Sequence, residues 1–401
     1  MNAYIVDGIR TGIGNFAGSL STIRADDLAA LVLKELLNRN PSFDPSAIAD
    51  IVMGCANQAG EDNRNVARMS ALLAGIPFSV PAETVNRLCA SGMSAIINAS
   101  RALHANEGDV MIAGGVEHMT RGPWVISKVS KPFGRDAEMF DSSFGWRFVN
   151  PKMKEMYGTD AMGETAENLA EKYNINREDQ DQFALWSQQK AAASTSWFGE
   201  EIVPVIMPQR KGEAIVFDKD EFVKGDSTLS GLSSLKASFR KEGTVTAGNA
   251  SGLNDGAAAV LLASEEGLKK HSLKPIARIL SSGVMGVEPR IMGIGPVEAS
   301  KLALSRVGLK LDQMDLIEMN EAFAAQVLAC TRELGIDDKD SRINPRGGAI
   351  ALGHPLGMSG TRIIYSAARQ LKAEGKRYAL CTMCIGVGQG YAVVIENTSS
   401  K

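Results

Sequence analysis

Two residue types in this 401-residue chain can supply a nucleophile and its base, since it has five cysteines and four histidines. A cysteine thiolate is a strong nucleophile, and a neighbouring imidazole can remove the thiol proton. Cys89 and His354 are the best candidates for such a pair, although a lone cysteine is more often a small buried apolar residue. The sequence contexts of His104, His118 and His271 indicate local structural roles.

The surroundings of His354 favour a functional role for its ring. Residues 344–355 read NPRGGAIALGHP, and five of these twelve residues are glycine or proline. Such residues hold the backbone in an unusual path. We therefore expect the imidazole to be held in place rather than exposed to solvent.

An internal repeat predicts that Cys89 and His354 face each other. Strand-like segments begin at Asp50 and Asp315, and Cys89 and His354 follow 39 residues later in each case. The equivalent positions are 265 residues apart, and the tripeptide Gly-Met-Ser recurs three residues after each candidate. Duplication predicts two similar halves packed about a pseudo-twofold axis, where equivalent positions approach each other.

The helices that follow Cys89 and His354 are predicted to be buried. Both are rich in Gly, Ala and Ser on every side, which is typical of a helix with no exposed face. Their N-termini then lie inside the protein. Partial positive charge at a helix N-terminus stabilises a thiolate, so we expect the pKa of Cys89 to lie below its ordinary value.

The segment 381–384, Cys-Thr-Met-Cys, offers a second reactive thiol. It ends a predicted strand rather than starting a helix, which disfavours a redox pair, and no second cysteine pair completes a zinc site. Cys381 and Cys384 point to opposite sides of an extended segment, so one can be core and the other active. No helix follows the glycine-rich run 385–390, so it is not a dinucleotide fingerprint, but its N–H groups can approach a ligand oxygen.

Asn320 is a candidate site residue because of its place at a strand end. It follows the apolar segment 316–319, and open α/β sheets place their sites at such ends. Its side-chain amide can position a water or a carbonyl. Capping of a helix that begins at Glu321 is the alternative interpretation.

Alternating helical and strand-like segments around these residues indicate an α/β protein. Residues 121–250 differ from the rest, since they hold all four tryptophans and many charged residues. We expect this stretch to form an inserted, partly helical lid. The pattern predicts helices at 25–37, 164–173 and 178–193, and strands at 1–10, 51–53, 110–113, 260–263, 316–319, 379–383 and 392–395.

Composition excludes several classes of protein. The chain has 44% hydrophobic residues, 22% charged residues and a formal net charge of −3. It therefore lacks the positive electrostatic field that would attract nucleic acid or an anionic membrane. It contains no run of eighteen apolar residues, its first ten residues lack the segments of a secretion signal, and residues 396–401 carry no recognisable address. The odd number of cysteines then predicts a reducing, cytoplasmic location.

Taken together, the motifs around the candidate residues resemble the thiolase family, in order and over the whole chain. They are NRLCASG at 86–92, AGNASG at 247–252, NEAF at 320–323, GGAIALGHP at 347–355 and CTMCIGVGQG at 381–390. Two further segments are similar to the 3-oxoadipyl-CoA (β-ketoadipyl-CoA) thiolases, GCANQAGEDNRN at 54–65 and GWRFVNP at 145–151. The chain departs from the family pattern at Gly12, His118 and Arg346, of which Arg346 bears on the polarity near the site.

The resemblance implies an α/β fold of two duplicated βαβαβαββ halves, which form a five-layered α-β-α-β-α core with an inserted lid. The N-terminal half would comprise residues 1–120 and 251–270, and the C-terminal half residues 271–401. Residues 121–250 would form the lid that binds CoA. A homodimer or homotetramer is also implied, the tetramer through the region near 121–145.

The resemblance also implies a ping-pong acyl transfer through an acyl-Cys89 intermediate. His354 would deprotonate Cys89, and Cys384 would act as general acid and base. One oxyanion would be stabilised by His354 and a water held by Asn320, and the other by the backbone N–H groups of Cys89 and Gly386.

Further residues match family positions that contact the substrate. Met162, Lys224 and Ser251 are the expected CoA contacts. Arg147, in the lid, is a candidate partner for a substrate carboxylate, since a guanidinium binds carboxylates bidentately. Coenzyme A is thus a substrate, and neither a cofactor, a metal, a nucleic acid nor a membrane is expected as a partner.

The expected reaction is thiolytic cleavage of a 3-oxoacyl-CoA, above all of 3-oxoadipyl-CoA to succinyl-CoA and acetyl-CoA in aromatic catabolism. A general 3-ketoacyl-CoA or acetoacetyl-CoA thiolase of fatty-acid metabolism is the alternative; Ala161 disfavours acetoacetyl-CoA, since some short-chain thiolases have His there. Cys384 argues against a decarboxylating condensing enzyme, which would have His or Asn beside the nucleophile. A non-catalytic acyl-CoA- or sterol-binding relative would have lost Cys89, His354 or Cys384.

Overall fold

The computed structural model describes residues 2–399, over which it has fourteen strands and thirteen α-helices. The first residue of the strand predicted at 1–10 and the last two residues of the tail lie outside the described residues. The strands are β1 (Ala3–Arg10), β2 (Gly14–Asn15), β3 (Asp50–Gly54), β4 (Ala82–Val85), β5 (Val110–His118), β6 (Trp124–Ile126), β7 (Met139–Asp141), β8 (Val205–Met207), β9 (Ile215–Phe217), β10 (Asn254–Ser264), β11 (Ala277–Gly286), β12 (Leu316–Met319), β13 (Tyr378–Ile385) and β14 (Gln389–Asn397).

The helices connect these strands and cover both faces of the sheet. The α-helices are α1 (Ala25–Asn38), α2 (Val66–Leu73), α3 (Ser91–His104), α4 (Pro151–Tyr157), α5 (Met162–Lys172), α6 (Arg177–Ala193), α7 (Thr195–Gly199), α8 (Leu229–Ser233), α9 (Glu265–Lys270), α10 (Gly295–Ser305), α11 (Ala324–Glu333), α12 (Ala349–Leu352) and α13 (Leu356–Glu374). Short 3-10 helices cover Ser19–Thr22, Pro45–Ala47, Leu88–Ala90, Pro289–Ile294 and Leu311–Gln313. Within the described part of the chain, no helix is both long and apolar enough to cross a membrane.

The order of the strands confirms the predicted duplication. Over residues 2–399, ten strands form one sheet in the order β12-β13-β14-β11-β1-β10-β5-β3-β4, with β2 beside β10. The N-terminal half contributes β3-β5-β10-β1 and the C-terminal half β12-β13-β14-β11. In both halves the first pair is parallel and the next two are antiparallel. The halves join where residues 3–5 of β1 pair with residues 277–279 of β11.

Helices α3 and α13 form the middle layer between the two halves of the sheet. One buried cluster combines apolar side chains of both helices, such as Met93 and Ile363, with strands of both halves. Helices α1 and α2 cover the outer face of the N-terminal half, and α10 and α11 that of the C-terminal half. This is the expected five-layered α-β-α-β-α arrangement.

The start of α13 meets the N-terminal half backbone to backbone. A Cβ atom on either Gly92 or Gly115 would overlap the carbonyl oxygen of Gly357, well inside the 3.0 Å that real Cβ atoms keep. A Cβ atom on Gly357 would overlap the carbonyl oxygen of Val116. Because Gly92 and Gly357 are equivalent in the repeat, the pseudo-twofold axis passes close to this contact.

The inserted segment 121–250 contacts several parts of the molecule. Strands β8 and β9 pack through Val205 and Phe217 into the outer core of the N-terminal half. Helices α5 and α6, both predicted from the pattern, pack through Leu169 and Phe183 against α11 of the C-terminal half. The division of the chain into two halves and a lid remains a prediction.

Apart from the strand predicted at 1–10, of which Asn2 precedes β1, the other predicted elements fall inside observed ones, which are often longer. Helix α1 occupies the predicted 25–37, while β5 runs on to His118 and β10 begins at Asn254. Buried polar residues extend these two strands, among them Glu117, His118 and Asp255. A strand predicted from a run of apolar residues is therefore shorter than the observed strand.

Gly115→Ala should lower the free energy of unfolding by at least about 3 kcal/mol, because the added methyl group meets a backbone carbonyl that no side-chain rotation can move away. Gly199→Ala is the matched control, since no atom lies within 4 Å of its Cβ position and its φ is not left-handed. Urea unfolding followed by circular dichroism compares the two. Equal stability of both variants would contradict the backbone contact.

Candidate active site

Cys89 lies in the one-turn 3-10 helix that directly precedes α3. Leu88 has a φ of 47°, a left-handed conformation that is unfavourable for residues other than glycine. The hydroxyl of Ser91 holds this turn, since it accepts a hydrogen bond from the N–H of Arg87 and donates one to the carbonyl of Leu88. Cys89 is partly exposed, whereas the other four cysteines, all within residues 2–399, are buried. It is therefore the accessible thiol.

Opposing effects act on the Cys89 thiol. Desolvation by the surrounding protein raises its pKa, while the backbone N–H groups of Gly386 and of Cys89 itself lower it. The net pKa lies above the ordinary value, so the expected lowering was wrong. Desolvation outweighs the helix end at this position, and the thiolate has to be formed by proton transfer to a base.

His354 is buried, with a polar partner at each ring nitrogen. Its Nδ1 lies 2.7 Å from Oγ of Ser359, and its Nε2 lies 3.3 Å from Nδ2 of Asn320. Ser359 donates its own hydroxyl proton to the carbonyl oxygen of Pro355 at 2.9 Å. It must therefore accept the proton of Nδ1, which leaves the basic lone pair of the imidazole on Nε2.

The environment of His354 keeps its ring uncharged at neutral pH. Burial, with a smaller contribution from the positive charge of Arg362, lowers the pKa of His354 to about 3. The backbone N–H of His354 donates to Oδ1 of Asn254 at 2.9 Å. Gly353 has a φ of 106° and lies against the Asn254 side chain, so the expected unusual backbone path is confirmed.

The structure places the turn that contains Cys89 next to the start of the helix that follows His354. Each lies three residues before one of the two equivalent glycines, Gly92 and Gly357, that meet backbone to backbone. The turn containing Cys89 therefore lies beside the start of α13, as the repeat predicted.

Strand β13 places its two cysteines on opposite faces, as expected. Cys381 belongs to the central core. Cys384 packs instead with Phe323 and Met162. Burial raises the pKa of Cys384, and the charge of Cys89 adds to this effect, so the two thiols are close enough to interact.

Gly386 begins the turn between β13 and β14. A Cβ atom at Gly386 would lie 3.5 Å from Cδ1 of Leu88 and 3.7 Å from Sδ of Met162. Since its N–H also acts on the sulfur of Cys89, this turn lies beside the nucleophile. The structure thus joins Cys89, Cys384, Gly386 and Met162 in one place.

Asn320 points into the site rather than capping a helix. Helix α11 begins only at Ala324, and Phe323 is its N-cap residue, so the capping alternative is wrong. The Asn320 backbone N–H donates to the carbonyl of Thr382 at 2.9 Å. Its Oδ1 is buried and has no hydrogen-bond partner among the described residues. A buried amide oxygen of this kind is a suitable acceptor for a water.

The expected substrate-binding residues divide into two groups. Besides Met162, Ser251 lies near the site, since its N–H donates to the carbonyl of Ala322 at 2.9 Å. Lys224 is exposed on the inserted segment, with its ammonium 5.4 Å from the ring centroid of Phe222. Arg147 is partly buried and donates to the carbonyl of Ser142 at 3.4 Å. Within residues 2–399, neither basic side chain forms a hydrogen bond with the thiol of Cys89 or Cys384.

Glu117, which the sequence pattern did not single out, connects the two halves at the site. Its carboxylate accepts hydrogen bonds from the N–H groups of Ala56 at 3.0 Å, Asn57 at 2.9 Å and Gly357 at 2.8 Å. It therefore ties the end of β3 to the start of α13. Burial raises its pKa to about 7. A charged residue in an otherwise apolar strand, at the end of Gly-Gly-Val-Glu, was the available signal.

Glu117 also belongs to a potential metal-ligating cluster. Each of Cys55, Asp62 and Glu117 offers one ligand atom, and these atoms lie within 4.8 Å of one another. The Glu117 oxygens already accept three N–H groups, and the Cys55 thiol donates to the carbonyl of Asn57 at 2.9 Å. The hydrogen bonds already account for these groups, and the expectation that no metal is needed stays a prediction.

The other three histidines and Arg346 have local partners. His118 Nε2 lies 3.1 Å from the carbonyl oxygen of Leu20, and His104 Nδ1 lies 2.6 Å from that of Ser100. The ring of His271 packs edge-on against that of Phe43. Arg346 stacks 4.0 Å above the ring of Trp197 and pairs with Glu374 at 2.9 Å. Its charge is thus engaged by these groups.

Known proteins are similar to this chain in sequence and in fold. The chain is 58% identical over 397 residues to the protein named "Beta-ketoadipyl-CoA thiolase" of Acinetobacter baylyi, covering 98% of this chain and 99% of that protein. It is 57% identical over 396 residues to the "3-oxoadipyl-CoA/3-oxo-5,6-dehydrosuberyl-CoA thiolase" of Escherichia coli, again covering 98% and 99%. The structure of human mitochondrial 3-ketoacyl-CoA thiolase superimposes with a TM-score of 0.92 at 40% identity, covering 99% of each chain.

Both halves of the chain also match family descriptions. Residues 3–266 match the family described as Thiolase, N-terminal domain. Residues 273–397 match Thiolase, C-terminal domain. The chain therefore belongs to the thiolase family of acyltransferases.

Proposed function

We propose that this chain cleaves 3-oxoadipyl-CoA with CoA, which gives succinyl-CoA and acetyl-CoA in the catabolism of aromatic compounds. The choice of 3-oxoadipyl-CoA as substrate rests on one observation. The chain is 57–58% identical, over 98% of its length, to proteins named for this reaction. Identity to the general 3-ketoacyl-CoA thiolase of human mitochondria is 40%. The geometry around Cys89, His354 and Cys384 supports the chemistry.

In the first half of the reaction, Nε2 of His354 takes the proton of Cys89. The thiolate attacks the 3-keto carbon, and the bond between C2 and C3 breaks. The succinyl group stays on Cys89, and the acetyl-CoA enolate leaves. Cys384 gives its proton to the enolate and becomes a thiolate.

In the second half, Cys384 takes the proton of the incoming CoA thiol. The CoA thiolate attacks the succinyl thioester and releases succinyl-CoA and the thiolate of Cys89. His354 returns its proton to that thiolate. All three side chains end in their starting protonation states, so the cycle needs no further reactant.

Two oxygens become negative in this scheme, and the site offers donors for both. We assign the thioester oxygen of the leaving enolate to protonated His354 and a water held on Oδ1 of Asn320. The N–H groups of Cys89 and Gly386, which already act on the sulfur, are assigned to the oxygen on the acyl carbon. Removing one such donor typically costs about 3–4 kcal/mol of transition-state stabilisation.

We assign CoA contacts to Met162, Ser251 and Lys224. Met162 packs with Cys384, and Ser251 is hydrogen-bonded to Ala322 of the same cluster, whereas Lys224 would have to meet a distant part of CoA. CoA is a substrate in this scheme, which uses no cofactor. The cytoplasmic location stays a prediction.

Self-association through the hairpin β6–β7 is also proposed. Its apolar side chains are unusually exposed, with Trp124 at 72%, Ile126 at 65% and Met139 at 59%. A contiguous apolar surface of this kind marks a protein interface. A homotetramer, built from dimers through this hairpin, is the proposed assembly.

The acyl intermediate can be tested directly. Brief incubation with 3-oxoadipyl-CoA without free CoA should leave a succinyl group on the peptide that contains Cys89, detected by mass spectrometry. Cys89→Ala should abolish this label, while Cys381→Ala, in the core, should retain it. Label on Cys384 in the wild type would overturn the assignment.

A second prediction separates the roles of the two thiols. If Cys384 moves protons only, Cys384→Ala should still be acylated slowly, whereas its turnover should fall by roughly 100- to 10,000-fold. Stopped-flow and steady-state assays measure the two quantities. Unchanged turnover would show that Cys384 is merely packed.

Arg147 is the proposed partner of the substrate carboxylate. Loss of a buried charge-assisted hydrogen bond costs about 1.5–3 kcal/mol, so Arg147→Met should lower kcat/KM for 3-oxoadipyl-CoA by roughly 10- to 150-fold. Activity with acetoacetyl-CoA or 3-oxohexanoyl-CoA should hardly change, and Arg147→Lys should lose less. An equal loss on charged and uncharged chains would exclude Arg147 from this role.

A further inference from the structure

Two buried charged residues, on the strand that leads to Asn320 and on the helix that follows His354, take no part in the scheme above. Glu318 on β12 is 4% exposed and Arg362 on α13 is 2% exposed. Neither side chain forms a hydrogen bond or an ion pair within 4.0 Å with a described residue, and Nε of Arg362 is fully enclosed. Burying such groups is costly, so retaining them calls for an explanation.

Glu318 and Arg362 each share an element and a face with one of the two residues that contact the His354 ring. Glu318 lies two residues before Asn320, and alternate residues of an extended strand share a face. Arg362 lies three residues after Ser359, and residues three apart share a helix face. Asn320 contacts one ring nitrogen of His354 and Ser359 the other.

The two charges also act on each other and on the site. Burial raises the pKa of Glu318 to about 7, and the charge of Arg362 opposes this effect. Arg362 likewise lowers the pKa of His354, after burial as the main cause. The guanidinium of Arg362 therefore acts electrostatically both on the Glu318 carboxyl group, whose pKa is near neutral, and on the His354 imidazole.

We propose that Glu318 and Arg362 form a buried charge pair that positions His354, in which Arg362 keeps the ring uncharged in the resting enzyme and the Glu318 carboxylate offsets part of this effect. Neither touches the substrate in this assignment, so both are positioning residues. The assignment rests on the proposed roles of His354 and Cys89. Internal water is the natural link between the two charges, since such water satisfies buried polar groups.

Other ionisable groups lie on the elements around His354 and could also act on the charge of its ring. Around Glu318 they are Glu201, Glu321 and Lys190. The turn before α3 and strands β5, β10 and β13 add Cys89, Glu117, Asp255, Cys381 and Cys384. Of all these groups, Arg362 is the charge that lowers the pKa of His354.

Alkylation of Cys89 by iodoacetamide tests the proposal without any substrate. The rate depends on transfer of the Cys89 proton to His354, so it rises when the imidazole becomes more basic. In Arg362→Met, loss of the positive charge should raise the pKa of His354 by roughly one unit, and alkylation at pH 7 should become roughly tenfold faster. The acidic limb of the pH profile should also begin at a higher pH.

The conservative variant and the direction of the effect separate positioning from simple damage. Arg362→Lys keeps the charge and should alkylate within about twofold of the wild type. A structural defect would misplace His354 and slow the reaction. Slower or unchanged alkylation in a folded Arg362→Met protein would therefore overturn the proposal.

Glu318→Gln gives an independent test if Arg362→Met does not fold. Above pH 7 the wild-type carboxylate offsets the charge of Arg362, so the variant should alkylate more slowly. Below pH 6 Glu318 is already protonated, and the two rates should agree. A pH-independent ratio of the rates would contradict the proposal. If Cys89 of the wild type is not the alkylated residue, as peptide mapping would show, the proposed function fails instead.

Discussion

The contact between the glycine backbones at the starts of α3 and α13 is the constraint on which the rest of the structure depends. Gly92, Gly115 and Gly357 have no side chains, so the carbonyl oxygen of Gly357 reaches the backbone of the other half. Glu117 secures this approach with hydrogen bonds to both halves. Any larger residue would separate the two helices and, with them, the residues that precede each helix.

Desolvation is the consequence of this close approach, and it determines how the site can work. The pKa of the Cys89 thiol is raised and that of the His354 imidazole is lowered, so both are uncharged at rest. A thiolate that exists only during proton transfer is protected from unwanted reactions. The N–H groups of Gly386 and Cys89 then stabilise negative charge on sulfur first and on the acyl oxygen later, at no cost in reorganisation.

Much of the architecture could be predicted from the sequence, because it is encoded in spacing. The repeat, whose copies are offset by 265 residues, predicted that the turn of Cys89 lies beside the start of α13, and the alternation along β13 separated Cys381 from Cys384. Charge states could not be predicted in the same way. The pKa of Cys89 depends on how much protein surrounds the sulfur. Arg362 looks in the sequence like an ordinary helix residue, and only the fold shows that it is buried. The lengths of β5 and β10 were underestimated for a related reason, since buried polar residues extend them.

The two copies of the repeat have diverged at one decisive position. Three residues before the shared glycine, one half has a thiol and the other an imidazole, while the Gly-Met-Ser that follows is unchanged. The serine of the second copy, Ser359, now fixes the tautomer of His354. Its counterpart Ser94 lies instead near Nε of Arg87, at 3.4 Å. Duplication therefore supplied the matching frame, and the different residue types at this one position give one helix start an acidic thiol and the other a base.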